Sequence, residues 1–240
     1  MKVHVVLPTY NEKENIEAMV TQLRDLPLDL KVLVVDDNSP DGTGAIADRM
    51  AAETPGKVQV IHRAGKLGLG TAYIAGFREA MEDHGDAVVT MDADFSHPPE
   101  KIPEMVAKLQ SGYDLVIGSR YVPGGKTVDC TLPRRFLSRV SNLIASTLLG
   151  LPAKDATAGF RCYRREVLES IDLGQIRSNG YSFLTEMLYK VRRRNWKIAE
   201  VPIVFRNRRH GVSKISRNEI LKAIYTVFRL FKERLLGRPA

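Results

Sequence analysis

Cysteine is scarce in this chain of 240 residues: Cys130 and Cys162 are the only two, and neither has metal-ligand spacing around it. One disulfide stays open as a reading, but two unpaired thiols in a reducing cytoplasm is the simpler one. Long apolar runs are missing too. The stretches around 143–151 and 220–236 are too short or too charged to span a bilayer, so no transmembrane domain is expected. Residues 1–10 form a short apolar run containing Pro8, without the small-residue cleavage site of a signal peptide. There is no repeat, low-complexity tract or flexible linker. A Walker-type phosphate loop is absent, because Gly65-Lys66-Leu67-Gly68-Leu69-Gly70 lacks the G-K-[ST] order. Those glycines read instead as a strand-to-helix turn.

What is present is an ordinary globular composition, 44% hydrophobic and 27% charged, in a length suited to one large α/β domain. The net charge of +8 is unevenly placed. Residues 1–119 hold 11 Lys+Arg against 19 Asp+Glu, a balance of −8, and residues 120–240 hold 25 against 9, a balance of +16. The basic half suits a polyanionic partner: nucleic acid, an anionic membrane or a phosphorylated substrate, with a solvated basic surface as the plain alternative. The acidic first half and the lack of any nucleic-acid-binding motif argue against nucleic acid.

Apolar, β-rich runs at 3–7, 31–36, 57–61, 87–91 and 115–118 alternate with helical patterns at 12–24, 43–53, 71–83 and 99–110. That alternation predicts a mostly parallel sheet with helices on both faces, and a ligand site beyond the carboxyl ends of the strands. The polar clusters fall at those ends: 8–12, 36–41, 92–94 and 119–120. Beyond Arg120 the pattern predicts an amphipathic helix over 134–149, a short strand over 159–163 and a helix over 183–194. A strand over 198–205, interrupted by Pro202, belongs at a sheet edge. A polar loop over 206–217 leads into a last amphipathic helix over 219–236. The apolar faces of the first and last of these helices suit either a bilayer surface or core packing.

Asp92-Ala93-Asp94 is the sharpest local feature. Two carboxylates around a small spacer at a strand end can hold one Mg²⁺ or Mn²⁺, although such a segment also makes turns and caps. Asp36 and Asp37 form a second acidic strand end, able to accept hydrogen bonds from a base or ribose or to build an Asx turn with Asp41 or Thr43 as cap. Tyr10 could pack on a nucleobase. Arg120 follows a strand directly, while Arg206, Arg208, Arg209, Gly211, Ser213 and Lys214 crowd one loop with the donors and close backbone approach that phosphate needs.

As a set, these residues resemble the GT-A glycosyltransferases of family 2, and in particular the dolichol-phosphate (polyprenol-phosphate) mannose synthases. The segments that carry the likeness run through nearly the whole chain: VLPTYNEKENI, VVDDNSPDGT, GLGTAYIAGF, MDADFSHPPE, GSRYVPGG, RRFLSRVSN, DATAGFRCYRREVL and VPIVFRNRRHGVSK. The resemblance implies a GT-A fold and a nucleotide site at Pro8, Tyr10, Glu12, Val35 and Asp37. It implies a metal pair at Asp92 and Asp94 with Ala93 beside the donor, and a third ligand position at Ser96. It places Arg120 at the donor and acceptor phosphates, Arg208 and Lys214 on a loop that closes over the site, and Arg135, Arg139 and Ser213 toward the lipid phosphate. The implied reaction is inverting transfer of mannose from GDP-mannose to a polyprenyl or dolichyl phosphate, at the cytoplasmic face of a membrane. Glucose or another sugar from a UDP donor, or a saccharide hydroxyl as acceptor, is the rival. Glu186 lies near the position at which hydroxyl-using relatives keep a general base, with a surface or capping role as its alternative. Many relatives carry transmembrane helices after this domain, which leaves open a separate membrane-anchoring subunit.

Overall fold

The computed structural model describes residues 1–129, 132–206 and 217–236, with the backbone alone at 132–134, 137 and 217–220. Among them, seven strands form one mixed, mostly parallel sheet in the order β3-β2-β1-β4-β7-β5-β8. These are β1 (Val3–Thr9), β2 (Leu30–Asp36), β3 (Val58–His62), β4 (Ala87–Thr90), β5 (Leu115–Ser119), β7 (Arg161–Arg164) and β8 (Ile198–Pro202). Only β7 runs antiparallel, wedged between β4 and β5. The near-continuous Val/Leu/Ile character of β1, β2 and β5 follows from burial on both faces.

Helices cover the sheet on both sides, as the alternation predicts. On one face lie α1 (Ile16–Arg24), α2 (Thr43–Glu53) and α4 (Ile102–Gln110), packed on Val5, Leu7, Val32, Val34 and Val89. On the other lie α3 (Leu69–Glu82), α6 (Arg165–Glu169) and α7 (Ser182–Arg193), packed on Val6, Leu33, Val35, Val88 and Ile117. The odd and even residues of one strand thus serve two cores. Helix α3 lies so close that a Cβ at Gly76 would stand 2.3 Å from Val6 Cγ1. Gly76→Ala is therefore expected to cost about 1–3 kcal/mol by overpacking, a fall of roughly 2–12 °C in thermal midpoint for a chain of this size, read by calorimetry.

Two departures from the sequence pattern stand out. Helix α1 opens at Ile16 rather than residue 12, because Asn11 takes a left-handed φ of 58° and residues 12–15 make a turn first. The expected strand at 198–205 divides: β8 ends at Pro202 on the sheet edge, and β9 (Val204–Arg206) pairs with β6 (Lys126–Val128) as a separate two-stranded sheet. Ile203 makes the transfer, its N–H donating to Ser119 O and its carbonyl accepting from Lys126 N, both at 3.0 Å.

Helix α5 (Leu132–Leu149) turns three large apolar residues outward. Phe136, Leu143 and Ile144 are 71%, 68% and 50% exposed, while Asn142, Ala145 and Leu149 face inward. The last helix, α8 (Arg217–Leu235), buries Thr226 and Leu230 but leaves Leu221, Ile224, Tyr225, Phe228 and Leu235 in solvent. No helix among the described residues is long and apolar enough to cross a membrane.

Candidate active site

The carboxyl ends of β2, β1, β4 and β5 bring four loops to one edge of the sheet. Three of these loops turn through non-glycine residues with positive φ: Asn11 at 58°, Asn38 at 55° and Phe95 at 61°. That conformation is uncommon for an aromatic residue and costs on the order of 1–2 kcal/mol. Phe95 directly follows the Asp92–Asp94 pair.

At the end of β2 the two aspartates divide their work. Asp36 is consumed by its surroundings: it accepts from Thr9 Oγ1 at 2.8 Å, from Ser39 Oγ at 2.6 Å and from Ser39 N at 2.9 Å. Asp37 instead pairs with Arg63 Nη1 at 2.8 Å, with both side chains under 10% exposed. Burial pushes the Asp37 carboxyl above its ordinary value, against the pull of Arg63 and of the Leu67 and Gly68 amides. The turn at 65–70 therefore closes on Asp37, and Gly68 makes it with a φ of +102° where a Cβ would meet the Asn179 side chain. Lys66 from the same turn holds its ammonium 4.5 Å from the centroid of the Tyr10 ring. Pro8, Tyr10 and Glu12 are half-buried along this edge; Glu12 Oε2 accepts from Asn15, and its N–H donates to Thr43 Oγ1. Asp41 takes the Thr43 amide and hydroxyl in the expected Asx turn, while the cap position of α2 falls to Gly42 rather than to Asp41 or Thr43. Val35 is fully buried in the core, so its side chain faces away from this edge.

At the end of β4, Asp94 is 2% exposed and its Oδ1 accepts from the Ser96 amide at 3.1 Å. Asp92 is half-buried, with Oδ1 3.5 Å from the Tyr73 hydroxyl, and Ala93 between them is buried. Ser96 Oγ is buried with no hydrogen-bond partner among the described residues. These hard oxygen donors fit Mg²⁺ or Mn²⁺, which bind protein through one or two carboxylates and complete their shell with substrate phosphate and water. No third His, Cys, Asp or Glu joins the pair among the described residues.

His97, which the sequence pattern does not single out, fixes this turn. Its Nδ1 accepts from the Asp92 amide at 3.0 Å, and its ring stacks on Phe160 at 5.3 Å and meets the edge of Phe205 at 5.7 Å. The Arg120 guanidinium lies over the same Phe205 ring at 5.3 Å, so two ring contacts link it to the Asp92 turn. Asp155 holds Arg120 from the other side. This fully buried carboxylate accepts from Arg120 Nε at 2.8 Å, from Nη2 at 2.7 Å and from its backbone N at 3.0 Å. Thr157 adds a bond to Nη2, and Asn142 of α5 donates to the same Thr157 hydroxyl, both at 3.0 Å. Asp155 opens the DATAGF stretch, but nothing in sequence spacing pairs it with Arg120. On α5, Arg135 is half-buried and Arg139 exposed. Arg208, Ser213 and Lys214 lie outside the described residues.

Residues 4–172 match the sequence profile described as "Glycosyl transferase family 2". The chain belongs to glycosyltransferase family 2. This transferase is 44% identical over 223 residues to a polyprenol monophosphomannose synthase of Mycolicibacterium smegmatis, covering 93% of this chain and 84% of that protein. It is 47% identical over 229 residues to an undecaprenyl-phosphate mannosyltransferase of Micrococcus luteus, covering 95% and 93%. Among solved structures it resembles glucosyl-3-phosphoglycerate synthase from Mycobacterium tuberculosis, a complex with Mn²⁺, UDP and phosphoglyceric acid. The TM-score is 0.71 at 22% identity over 96% of this chain and 78% of that one, a likeness of fold.

Glu186 is not a surface residue. It is 1% exposed and pairs with Arg229 of α8 at 2.6 Å, while its carboxylate also accepts from the Ser178 amide at 2.8 Å. Burial opposes ionisation, but Ser178 and Arg229 outweigh it and hold the carboxyl below its ordinary value. Glu186→Gln is expected to cost about 3 kcal/mol at pH 7 by leaving Arg229 without its main partner. A depressed folded pKa stabilises fully above the unfolded value of about 4.3 and loses that stabilisation as pH falls through the folded one. The gap between wild type and variant should therefore close in acid, as urea melts at pH 7 and pH 3 would report.

Proposed function

We propose that this transferase moves mannose from GDP-mannose to a polyprenyl phosphate, with inversion, at the cytoplasmic face of a membrane. The observation that carries the acceptor is α5, whose apolar side faces solvent while its polar side holds Arg120 through Asn142 and Thr157. A helix that turns Phe136, Leu143 and Ile144 outward beside a phosphate-binding candidate suits a substrate with a lipid tail and an anionic head. Both relatives above are named for that chemistry.

The residues divide the task as follows. Asp37, with Arg63 behind it, accepts from the nucleoside, and Tyr10 with Lys66 flanks the base and diphosphate. Asp92 and Asp94, with Ser96 Oγ beside them, would hold a divalent cation, which when bound would supply positive charge to the departing diphosphate. His97 and Phe95 fix the turn that presents those carboxylates. Arg120, clamped flat by Asp155, positions the acceptor phosphate for in-line attack on the anomeric carbon. Arg208 and Lys214 add charge over the leaving group, while Arg135, Arg139 and Ser213 guide the lipid phosphate.

A phosphate monoester needs no base to become a nucleophile, since its second pKa is about 6 by analogy with phosphorylated side chains. The engagement of Glu186 by Arg229 supports that choice over a saccharide hydroxyl, which needs a positioned base. A donor panel tests the sugar and nucleotide: GDP-mannose is expected to be preferred, and exclusive use of UDP-glucose would overturn the donor.

Flotation on anionic vesicles tests the membrane face. Phe136→Asp with Phe228→Asp is expected to weaken vesicle binding more than tenfold, since each buried aromatic contributes about 1.5–3 kcal/mol. Both positions are exposed, so the melting temperature should barely move. Equal flotation of wild type and variant would remove this face from the account.

A further inference from the structure

A second basic site lies at the far end of α7, about 15 Å along the helix axis from Phe183 at the 1.5 Å rise per residue. There the C-terminal ends of α5, α7 and α8 enclose a pocket of about 200 Å³. Its lining includes Gly150, Tyr189, Arg192, Arg193 and Arg234, and no carboxylate among the described residues. From this arrangement we infer a phosphate-binding site separate from the transfer site, an inference that does not rest on the proposed reaction.

Three arginines line one small, partly open pocket. That much positive charge with guanidinium donors suits a phosphate, which arginine binds bidentately. At about 30 Å³ per water, the volume admits a phosphoryl group with some of its hydration. Tyr189 supplies an independent observation: the residue is 2% exposed and its Oη has no hydrogen-bond partner among the described residues. A buried hydroxyl left this way calls for a partner; its oxygen is closed to solvent here, so an anion oxygen would meet it only once the atoms covering it move aside. The nearby acid, Glu233, is engaged by Arg229 at 3.1 Å.

The competing explanation is helix capping. Arg234 Nη1 donates to Leu148 O at 2.7 Å, which satisfies the last turn of α5, and a Cβ at Gly150 would collide with this guanidinium. Arg192 Nη1 similarly reaches Asn195 Oδ1 at 3.3 Å. Helix C-termini repel anions by their dipoles, so capping alone would leave the pocket indifferent to phosphate.

The test is an NMR titration of the full chain with inorganic phosphate against chloride at equal ionic strength. Backbone amides of Gly150 and Asn195 report this pocket, and those of Asp37 and Arg120 report the transfer site. Saturable shifts at Gly150 and Asn195 are expected, weakened at least tenfold in Arg192→Gln/Arg193→Gln and two- to fivefold in Tyr189→Phe. The shifts at Asp37 and Arg120 should be untouched by either variant. Arg192→Lys/Arg193→Lys, which keeps the charge, guards against a folding defect and should retain part of the response. No shift at Gly150 and Asn195, or the same shift in the Gln variant, would overturn the site and leave the arginines as caps. Vesicles identify the source of the phosphate. Weaker binding of the Gln variant to phosphatidylglycerol vesicles, with phosphate competing, supports the site with a lipid headgroup as occupant. Unchanged vesicle binding with the amide shifts present supports it with a soluble phosphate.

Discussion

Asp94→Asn is expected to lower mannosyl transfer by roughly 10²–10³-fold while leaving the protein folded, the scale of losing one preorganised electrostatic group. The substitution is chosen for what it preserves. Asp94 Oδ1 accepts from the Ser96 amide, and the amide oxygen of Asn can accept the same bond. What it removes is the negative charge of a side chain buried to 2% exposure. A fall in transfer with an unchanged melting temperature would assign that charge to the chemistry. If activity is retained, Asp94 serves the turn alone.

The second large effect concerns Arg120 and Asp155. Replacing Arg120 by Met should cost about 3–5 kcal/mol, because a fully buried carboxylate would lose its partner. Transfer should also be lost, so one variant cannot separate structure from catalysis. The double substitution Arg120→Met/Asp155→Leu separates them. Removing both charges is expected to recover most of the lost stability and none of the activity. Recovery of both would mean that Arg120 acts only through the fold, and recovery of neither would place Asp155 in contacts beyond this pair. Chemical denaturation and the transfer assay read the two quantities.

The first half of the fold is legible because each strand is apolar on both faces and each helix carries a periodic stripe. Strands β1 to β5 and helices α1 to α4 all appear near their expected places. The elements missed are short. β6 has three residues and α6 five, too few for any period to register, and β9 reads as the end of one longer strand. The antiparallel insertion of β7 between β4 and β5 is also invisible locally, since strand order is set by tertiary pairing.

Helix α5 teaches a different limit. Its amphipathic pattern is plain, yet periodicity reports only that an apolar face exists, and here Phe136 and Leu143 face solvent while Asn142 faces protein. The site divides the same way. Asp92 and Asp94 stand out because two carboxylates flank one residue at a strand end. Arg63 and Asp155 do not, because each acquires its role only by meeting a partner distant in sequence, and the His97 ring is held by Phe160 and Phe205, equally distant. Glu186 is the converse: the resemblance sets it near a general-base position, and its partner Arg229 of α8, 43 residues later, is invisible in the local sequence.

The central claim is that the acceptor is a lipid phosphate activated by binding rather than by a base. The direct measurement is transfer of radiolabelled mannose from GDP-mannose, with Mg²⁺, to a polyprenyl phosphate and to the polyprenol of the same chain length. Product from the phosphate alone, dependent on both the metal and Asp94, is the expected result. Comparable transfer to the free alcohol by the folded enzyme would contradict it.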